Sequence, residues 1–380
     1  MDNQDSDLTK ILTQVGYVNL EIGGEVMPVI TEELDALHLL HRFETVTRRI
    51  IAGSQPIFPT RRDKRSGHLL LRNSKLSSDV MLMLTQSQRE LILHHFPCHD
   101  FTPYFDLFWK KADECELLEL PLQLPLVGLP DHLVQDIADG LNGWVAAIRS
   151  KGRAPKFRAK VDNFRRGTYK APKSFRAYLW KLLRRHPDLE LVRIDLTYRK
   201  TSCLPSVIVA PEMTYEVATQ HRQALVKFLQ KSPMSRYVLG YAWKLSNALQ
   251  RGFNLHLTLM MKRSERHAFS AITGEGWCKH ITKGQGIYFD CARLGAGYRG
   301  SGIVLHNITE MAQQIDDAVS FMTWPDRLVK LKIPKRGRTF GKGQIKGERA
   351  KHKTRVKAAP RKAALPSIAQ ALNKPVRSPW

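Results

Sequence analysis

The second half of the chain alternates apolar and polar residues in four short runs, the period expected of β-strands. The clearest are "LELVRIDLTY" (189–198) and "GFNLHLTLMM" (252–261), in which every second position is apolar. "RYVLGYAWKL" (236–245) and "GQGIYFDC" (284–291) are the other two predicted strands. The short segment "SNALQRG", between the second and third runs, predicts a hairpin.

Apolar residues at helical spacing occupy the segments between these strands. They cover 215–231, 264–281 up to its glycines, and 309–324. The resulting order, β-α-β-β-α-β-α, predicts an α+β fold. In it an antiparallel sheet carries its helices on one face, as a ferredoxin-like layer.

The first 150 residues show helical rather than strand spacing. "TEELDALHLLHRFETVTRRII" (31–51) and "DHLVQDIADGLNGWVAAIRS" (131–150) are the longest examples. We therefore expect residues 1–150 to form a mainly helical accessory region.

Composition divides the rest of the chain into three parts. Residues 151–186 hold 13 Lys and Arg and one acid, Asp162, interleaved with aromatic residues, which predicts a basic helical segment. Residues 187–343 form the α+β domain. Residues 344–380 are basic and poor in large apolar side chains, so we expect a disordered basic tail.

The net charge of +25 is distributed unevenly along the chain. Residues 1–150 hold 14 Lys and Arg against 21 Asp and Glu, whereas residues 151–380 hold 46 against 14. Such a basic region favours a polyanionic partner, with nucleic acid ahead of an acidic membrane surface or a ribosome.

Other classes of protein find little support. No apolar run approaches the roughly 18 residues of a membrane span, and the N-terminus is unlike a secretory signal. Five scattered cysteines indicate no disulfide framework, which favours a cytoplasmic protein without a membrane partner. The absence of a "GxxxxGK[ST]" motif predicts no nucleotide cofactor.

The segment "HHFPCHD" (94–100) offers ligand types that zinc accepts, but a histidine cluster at a helix end is the alternative.

Five segments carry a resemblance to a known family. In chain order they are "FRAYLWKLLRRHPDLELVRIDLTY", "KLSNALQRGFNLHLTL", "EGWCKHITKGQGIYFDCARLGAGYRGSGIV", "DDAVSFMTW" and "GRTFGKG". Together they resemble the inovirus gene-2-type replication proteins, also described as the YagK/YfjJ C-terminal domain. The resemblance covers residues 165 to 343, just under half of the chain.

This resemblance implies a rolling-circle replication initiator of the His-hydrophobe-His type (HUH-like). In such enzymes two histidines, two residues apart on a strand, hold a divalent cation. A tyrosine on a later helix then attacks the scissile phosphate and forms a phosphotyrosine link. Period-two alternation places both imidazoles on one face of the strand.

The chain departs from the family at these positions. The two-histidine pattern stands here as Asn254 and His256, so an amide replaces one imidazole. Ser246 occupies a position where a glutamate is frequent, and the position of the nucleophile is Phe321, which has no hydroxyl. These departures predict that nicking is weakened or lost.

Two routes to catalysis stay open. Asn254 and His256 could bind Mg²⁺ or Mn²⁺ together with Asp195 on a neighbouring strand. Tyr288 or Tyr298 could supply the attacking hydroxyl. For His256 the alternative is a hydrogen-bonded residue of the core or of a groove.

Basic and aromatic residues together are typical of proteins that bind nucleic acid strands, since cations neutralise phosphates and rings stack on bases. Phe321 and Trp324 share a helix face and could stack bases or pack on the sheet. The glycine-rich segment 338–343 could hold a phosphate. The candidate DNA-contacting residues are Arg165, Arg166, Lys170, Lys173, Arg193, Phe321, Trp324, Arg338 and Lys342.

The sequence therefore predicts a phage- or prophage-type replication protein that binds origin or single-stranded DNA. Host replication proteins are further candidate partners. A non-enzymatic DNA-binding regulator on the same scaffold is one alternative, and a primase-like polymerase domain is another. The primase alternative is weakened because Arg193 stands where a two-metal site needs a second carboxylate beside Asp195.

Overall fold

The chain folds as an α+β protein in which every strand pairing of the described residues is antiparallel. The computed structural model describes residues 17–22, 24–72, 74–117, 129–204, 207–209, 213–262, 266–292, 308–335 and 337–345. The strands are β1 (Tyr17–Ile22), β2 (Glu25–Ile30), β3 (Thr60–Arg62), β4 (Leu69–Leu71), β5 (His99–Phe101), β6 (Leu189–Tyr198), β7 (Thr201–Leu204), β8 (Val207–Val209), β9 (Val238–Ser246), β10 (Asn254–Lys262), β11 (Gly286–Asp290), β12 (Val329–Leu331) and β13 (Phe340–Lys342). The helices are α1 (Glu33–Ala52), α2 (Lys75–Met83), α3 (Gln86–His95), α4 (Pro103–Glu114), α5 (Asp131–Arg153), α6 (Pro155–Arg185), α7 (Tyr215–Lys231), α8 (Arg266–Glu275) and α9 (Ile308–Thr323).

Five strands form the central sheet, in the order β11-β6-β10-β9-β13. Along the chain β6, α7, β9, β10, α8 and β11 follow one another as β-α-β-β-α-β, with the small β7–β8 hairpin inserted after β6. A π-helical turn, Gly276–Ile281, continues α8. Strand β10 lies in the middle of this sheet, so both of its edges are paired.

Alternation along β6 and β10 sorts their side chains onto two faces of the sheet. His256 lies opposite Asp195, and Leu257 lies opposite Ile194. We call the face of Asp195 and His256 the polar face, and the face of Ile194 and Leu257 the apolar face. Every residue of β6 is buried, and in β10 only Lys262 is exposed, so both faces are covered.

Different helices cover the two faces. Helices α7 and α8, with the π-helical turn, pack on the apolar face through Ala218, Leu225, Leu229, Phe269 and Trp277. Helices α6 and α9 pack on the polar face through Phe175, Tyr178, Leu182, Ile315 and Val319. The prediction of helices on one face therefore holds for the two crossover helices and is wrong for the sheet as a whole. One part of the polar face carries the apolar residues Leu191, Ala242 and Met260. They are buried in the same core as the apolar residues of α6 and α9.

The N-terminal part contains α1 to α5 together with the β1–β2 and β3–β4 hairpins. Its centre is aromatic: the ring of Phe108 meets Phe43 and Trp144 edge to face, with centroids 4.9 Å apart in both pairs. These residues belong to the same hydrophobic core as the helices on the polar face. Strand β5 also pairs with β12, which joins the N-terminal part to a segment after α9.

The compact unit extends to Ile345, whose side chain is buried. Of the tail predicted for 344–380, residues 346–380 lie outside the described residues. Among the described residues, no helix combines the length and the apolar character needed to cross a membrane.

Candidate functional site

Asp195 and His256 lie opposite each other on β6 and β10, on the polar face. Oδ1 of Asp195 is 2.7 Å from Nδ1 of His256, and both side chains are buried. A carboxylate at Nδ1 fixes the orientation of the ring and favours the tautomer in which Nε2 carries the lone pair. The structure therefore brings these two predicted residues into direct contact.

Ser246, on the other neighbouring strand, faces the second ring nitrogen. Its Oγ is 3.2 Å from Nε2 of His256 and 3.4 Å from the main-chain oxygen of Asn254. Three adjacent strands thus supply a hydrogen-bonded chain, Asp195–His256–Ser246. The sequence pattern alone marks Ser246 only as a departure from the glutamate frequent at this position. The signal that could have found it is the β9–β10 hairpin, whose register sets Ser246 opposite Asn254.

A small cleft opens beside this chain, with a cavity volume of about 40 Å³. Lys244, Ser246 and His256 of the sheet line it, together with Asp326 after α9 and His99 of β5. The cleft therefore lies where the sheet, the segment after α9 and the N-terminal part meet.

Two cations line the cleft, and each is paired with a carboxylate. Nζ of Lys244 lies 2.6 Å from both carboxylate oxygens of Asp326. Arg251 forms a buried ion pair with Glu33 of α1, and Glu33 also accepts hydrogen bonds from the main-chain N–H groups of Gln250 and Arg251. The N-terminal helix thereby fixes the turn between β9 and β10.

His99, from the cluster at 94–100, also reaches this cleft. Burial, and next the positive charge of Arg251, lowers the pKa of His99 to about 4. The ring is therefore neutral at pH 7. Within the described part of the chain, no three His, Cys, Asp or Glu side chains are arranged to hold a metal ion, so the zinc interpretation of this cluster gains no support.

The predicted cation ligands Asp195, Asn254 and His256 make an incomplete ligand set. Asp195 bonds to His256 and acts as an outer partner that orients the ring. Oδ1 of Asn254 is buried without a hydrogen-bond partner among the described residues. One amide oxygen and one imidazole nitrogen fall well short of the octahedral, oxygen-rich shell that Mg²⁺ prefers. These residues alone do not fit a divalent cation, and we derive no step through one.

Phe321 and Arg193 are packed behind the site. The ring of Phe321 meets His256 edge to face, with centroids 5.4 Å apart, and the guanidinium of Arg193 lies 3.3 Å from the centroid of Phe321. Phe321 is 3% exposed and Arg193 is 1% exposed. Contrary to the sequence prediction, neither side chain reaches a surface where it could contact DNA in this conformation.

Tyr288, one of the two candidate tyrosines, is not at the site. Tyr288 lies opposite Leu196 on β11, and its ring packs against Gly274 of α8 on the apolar face. The sheet therefore separates the Tyr288 hydroxyl from His256, contrary to its predicted catalytic role. Tyr298 lies outside the described residues. Trp324 is half-buried, with its ring 6.2 Å from that of His41 on α1, so it packs against the N-terminal part.

Helix α6 presents most of the predicted phosphate contacts. Arg166, Lys170 and Lys173 are exposed, and Arg165 is half-exposed and 3.2 Å from Glu44. Their helix is anchored by one buried stripe. The residues of that stripe are Phe157, Val161, Thr168, Pro172, Phe175, Leu179 and Leu182. The aromatic residues of this segment fall into two groups. Phe157, Phe175 and Tyr178 are buried, and Tyr169 is exposed.

Arg338 and Lys342 do not form one phosphate-binding loop. Arg338 is exposed beside α7, where its main-chain N–H donates to the hydroxyl of Tyr215. Nζ of Lys342 lies 4.6 Å from the centroid of the Tyr178 ring on α6. The two residues thus belong to different surroundings.

The chain was compared with protein-family models, with curated proteins and with solved structures, and it gives no significant match to any of them.

Proposed function

We propose that this protein binds DNA, as an origin- or single-strand-binding protein of phage or prophage replication, with tyrosine-dependent nicking weakened or lost. The observation that carries the proposal is the exposed basic face of α6. Helix α6 has 31 residues, so it is about 45 Å long. Lys156, Arg158, Arg166, Lys170 and Lys173 are exposed along it. Such a row of cations can follow a phosphate backbone.

The arrangement of the sheet supports a link to rolling-circle initiators. The β-α-β-β-α-β order gives the spatial order 4-1-3-2, counting β6, β9, β10 and β11 as strands 1 to 4. This is the layout expected of a ferredoxin-like layer, with both crossover helices on one face. His256 lies on the strand between strands 1 and 2, and α9 packs over its face, as the resemblance implies.

A second candidate is a non-enzymatic DNA-binding regulator on the same scaffold. It is favoured by Phe321, which fills the position where the resembling family carries its tyrosine and packs against both His256 and Arg193. A hydrophobic ring there leaves the DNA-binding surface of α6 intact while removing the hydroxyl for nicking. The two candidates share the binding surface and differ in chemistry.

The binding surface is tested by removing two charges from α6. We expect Lys170→Ala with Lys173→Ala to weaken binding to a fluorescent single-stranded hairpin. We also expect the slope of log affinity against log salt to fall by about 1.4, which is about 0.7 for each lost phosphate contact. The matched control is Lys64→Ala with Arg65→Ala, two exposed cations on the β3–β4 hairpin. Fluorescence anisotropy over a range of salt concentrations measures both quantities.

An equal loss of affinity in the two double variants would mean that net charge, and not the α6 surface, holds the DNA. Absence of binding by the wild-type protein to single-stranded, hairpin and duplex DNA at low salt would overturn the proposal.

A further inference from the structure

The three residues of the polar face repeat the atom order of a nucleophilic triad. Asp195 bonds to Nδ1 of His256, and Nε2 of the same ring faces the hydroxyl of Ser246. This is the order in which a carboxylate orients an imidazole and the imidazole takes a proton from a serine. Asp195 and His256 are buried, whereas Ser246 is half-buried and lines the cleft. The hydroxyl is therefore the member of the chain that a substrate can reach.

We propose that Ser246 is a nucleophile that attacks a phosphodiester bond in the cleft, with His256 as its general base and Asp195 as the residue that positions His256. The proposal rests on the proposed function for its substrate class, a DNA strand. The resemblance places the nucleophilic hydroxyl at position 321, where this chain has phenylalanine. Ser246 supplies a hydroxyl to the same site from β9.

The step balances with these residues and solvent water. His256 Nε2 takes the proton of the Ser246 hydroxyl while Oγ forms a bond to phosphorus. The bond from phosphorus to one deoxyribose oxygen breaks on the side opposite Oγ, where that oxygen takes a proton from water, and the imidazolium then releases its proton to solvent. The products are a phosphoserine-linked strand end and a free hydroxyl end. Asp195 stabilises the imidazolium between the two transfers.

The cleft favours a phosphodiester over a neutral ester. Lys244 lines it and is paired with Asp326, whereas Arg251 is held by Glu33, so Lys244 is the cation that a phosphate reaches by displacing one carboxylate. Lys244 lies opposite His256 in the β9–β10 register, so its charge is fixed beside the ring. An anionic phosphate that displaces Asp326 would meet the Lys244 ammonium directly. A neutral acyl group would gain less from this ammonium.

The competing interpretation is that Ser246 is structural, its hydroxyl donating to the main-chain oxygen of Asn254 and meeting the buried ring of His256. A structural hydroxyl of that kind has ordinary reactivity, whereas a hydroxyl activated by its neighbours reacts with phosphorus electrophiles. Ser66 provides a matched comparison, because its Oγ bonds to a carboxylate of Asp63 at 2.8 Å but is exposed on the β3–β4 hairpin.

The first experiment treats the full-length protein with a fluorescent fluorophosphonate, in which serine attacks phosphorus and fluoride leaves. We expect labelling at Ser246, confirmed by peptide mass spectrometry. It should be lost in Ser246→Ala, reduced at least tenfold in His256→Gln and in Asp195→Asn, and unchanged in Ser66→Ala. Labelling of the wild type no faster than that of Ser246→Ala would overturn the proposal. Equal labelling of wild type and Asp195→Asn, with native circular dichroism for both, would overturn the role of Asp195.

The second experiment adds a labelled hairpin DNA at concentrations that saturate each variant, as fixed by anisotropy. We expect a covalent adduct on a denaturing gel that Ser246→Ala abolishes and that alkali cleaves, because phosphoserine undergoes β-elimination. An alkali-stable adduct that persists in Ser246→Ala would overturn the proposal in favour of a tyrosine nucleophile. Bound but unmodified DNA, with Ser246 labelled by the fluorophosphonate, would overturn the phosphodiester substrate and keep the activated serine. Labelling of Ser246 without DNA binding would overturn the proposed function alone.

Discussion

His99 makes the stability of the cleft depend on pH. Its pKa is about 4 in the folded protein, lowered chiefly by burial, and about 6.5 when unfolded. The unfolded chain therefore binds more protons between these values, so the free energy of unfolding falls as pH decreases from about 6.5 to 4. At about 1.4 kcal/mol for each pKa unit, this shift corresponds to about 3 kcal/mol of stability. We expect His99→Gln to flatten this part of the profile, as measured by urea unfolding from pH 4 to 7.

The control for this prediction is His94→Gln, because His94 is exposed on α3 close in sequence to His99. This variant should retain the pH profile of the wild type. If His99→Gln and the wild type lose stability equally on acidification, His99 is not the group responsible.

The sequence predicts which side of a strand a residue occupies, because this depends only on the period of the strand. Alternation in β6 and β10 assigns Asp195 and His256 each to one side of its strand. In the sheet these two sides form the same face, with Asp195 opposite His256. The part played by Ser246 depends on the partner strand and its register, which composition does not contain. The burial of Phe321 and Arg193 depends on how α9 lies over the sheet, so a pattern of cations and rings could not distinguish these residues from surface contacts.

At the scale of elements, the contact between α6 and β9 depends on the absence of a side chain at Gly240. A Cβ there would lie 2.4 Å from the hydroxyl of Tyr178 and 2.7 Å from Leu182 Cδ1. We expect Gly240→Ala to reduce the free energy of unfolding by about 1–3 kcal/mol, because the strand and the helix must separate. Chemical denaturation with circular dichroism measures this difference.

The comparison for that variant is Gly143→Ala in α5, where an added Cβ meets nothing within 4 Å. Since alanine is the better helix former, this change should stabilise the protein by up to about 1 kcal/mol. A neutral Gly240→Ala would show that α6 is not closely packed on β9.

The bounds of several elements were predictable from local pattern, as for β6 and α7, which match the predicted 189–198 and 215–231. Apolar spacing tells which side of a helix is buried but not which surface it meets. That is why the second layer of helices on the polar face escaped prediction. Pro172 is a further case: it lies inside α6, in the buried stripe, although proline usually ends a helix.

At the scale of the whole molecule, the ion pair of Glu33 and Arg251 joins α1 to the turn between β9 and β10. Both side chains are buried, so Glu33→Gln removes the carboxylate that compensates the buried Arg251 charge in this ion pair. We expect Glu33→Gln to cost about 3–5 kcal/mol and Asp35→Asn, an exposed charge on the same helix, to cost little. Urea unfolding compares the two variants. Similar effects of both would mean that the buried pair does not couple the N-terminal part to the sheet.

The basic residues after Ile345 give the last prediction. Residues 346–380 hold ten Lys and Arg against one acid, Glu348, and the compact unit ends at Ile345. A chain cut after Ile345 keeps that buried side chain, so we expect its free energy of unfolding to match that of the full chain. Its affinity for DNA should fall, and its salt dependence should flatten by about 0.7 for each lost contact to a single strand. Anisotropy titrations from low to moderate salt measure both, with the Lys170 and Lys173 double variant made in each chain. Independent binding surfaces give additive losses in slope, whereas an unchanged slope in the shortened chain would show that residues 346–380 do not contact phosphates.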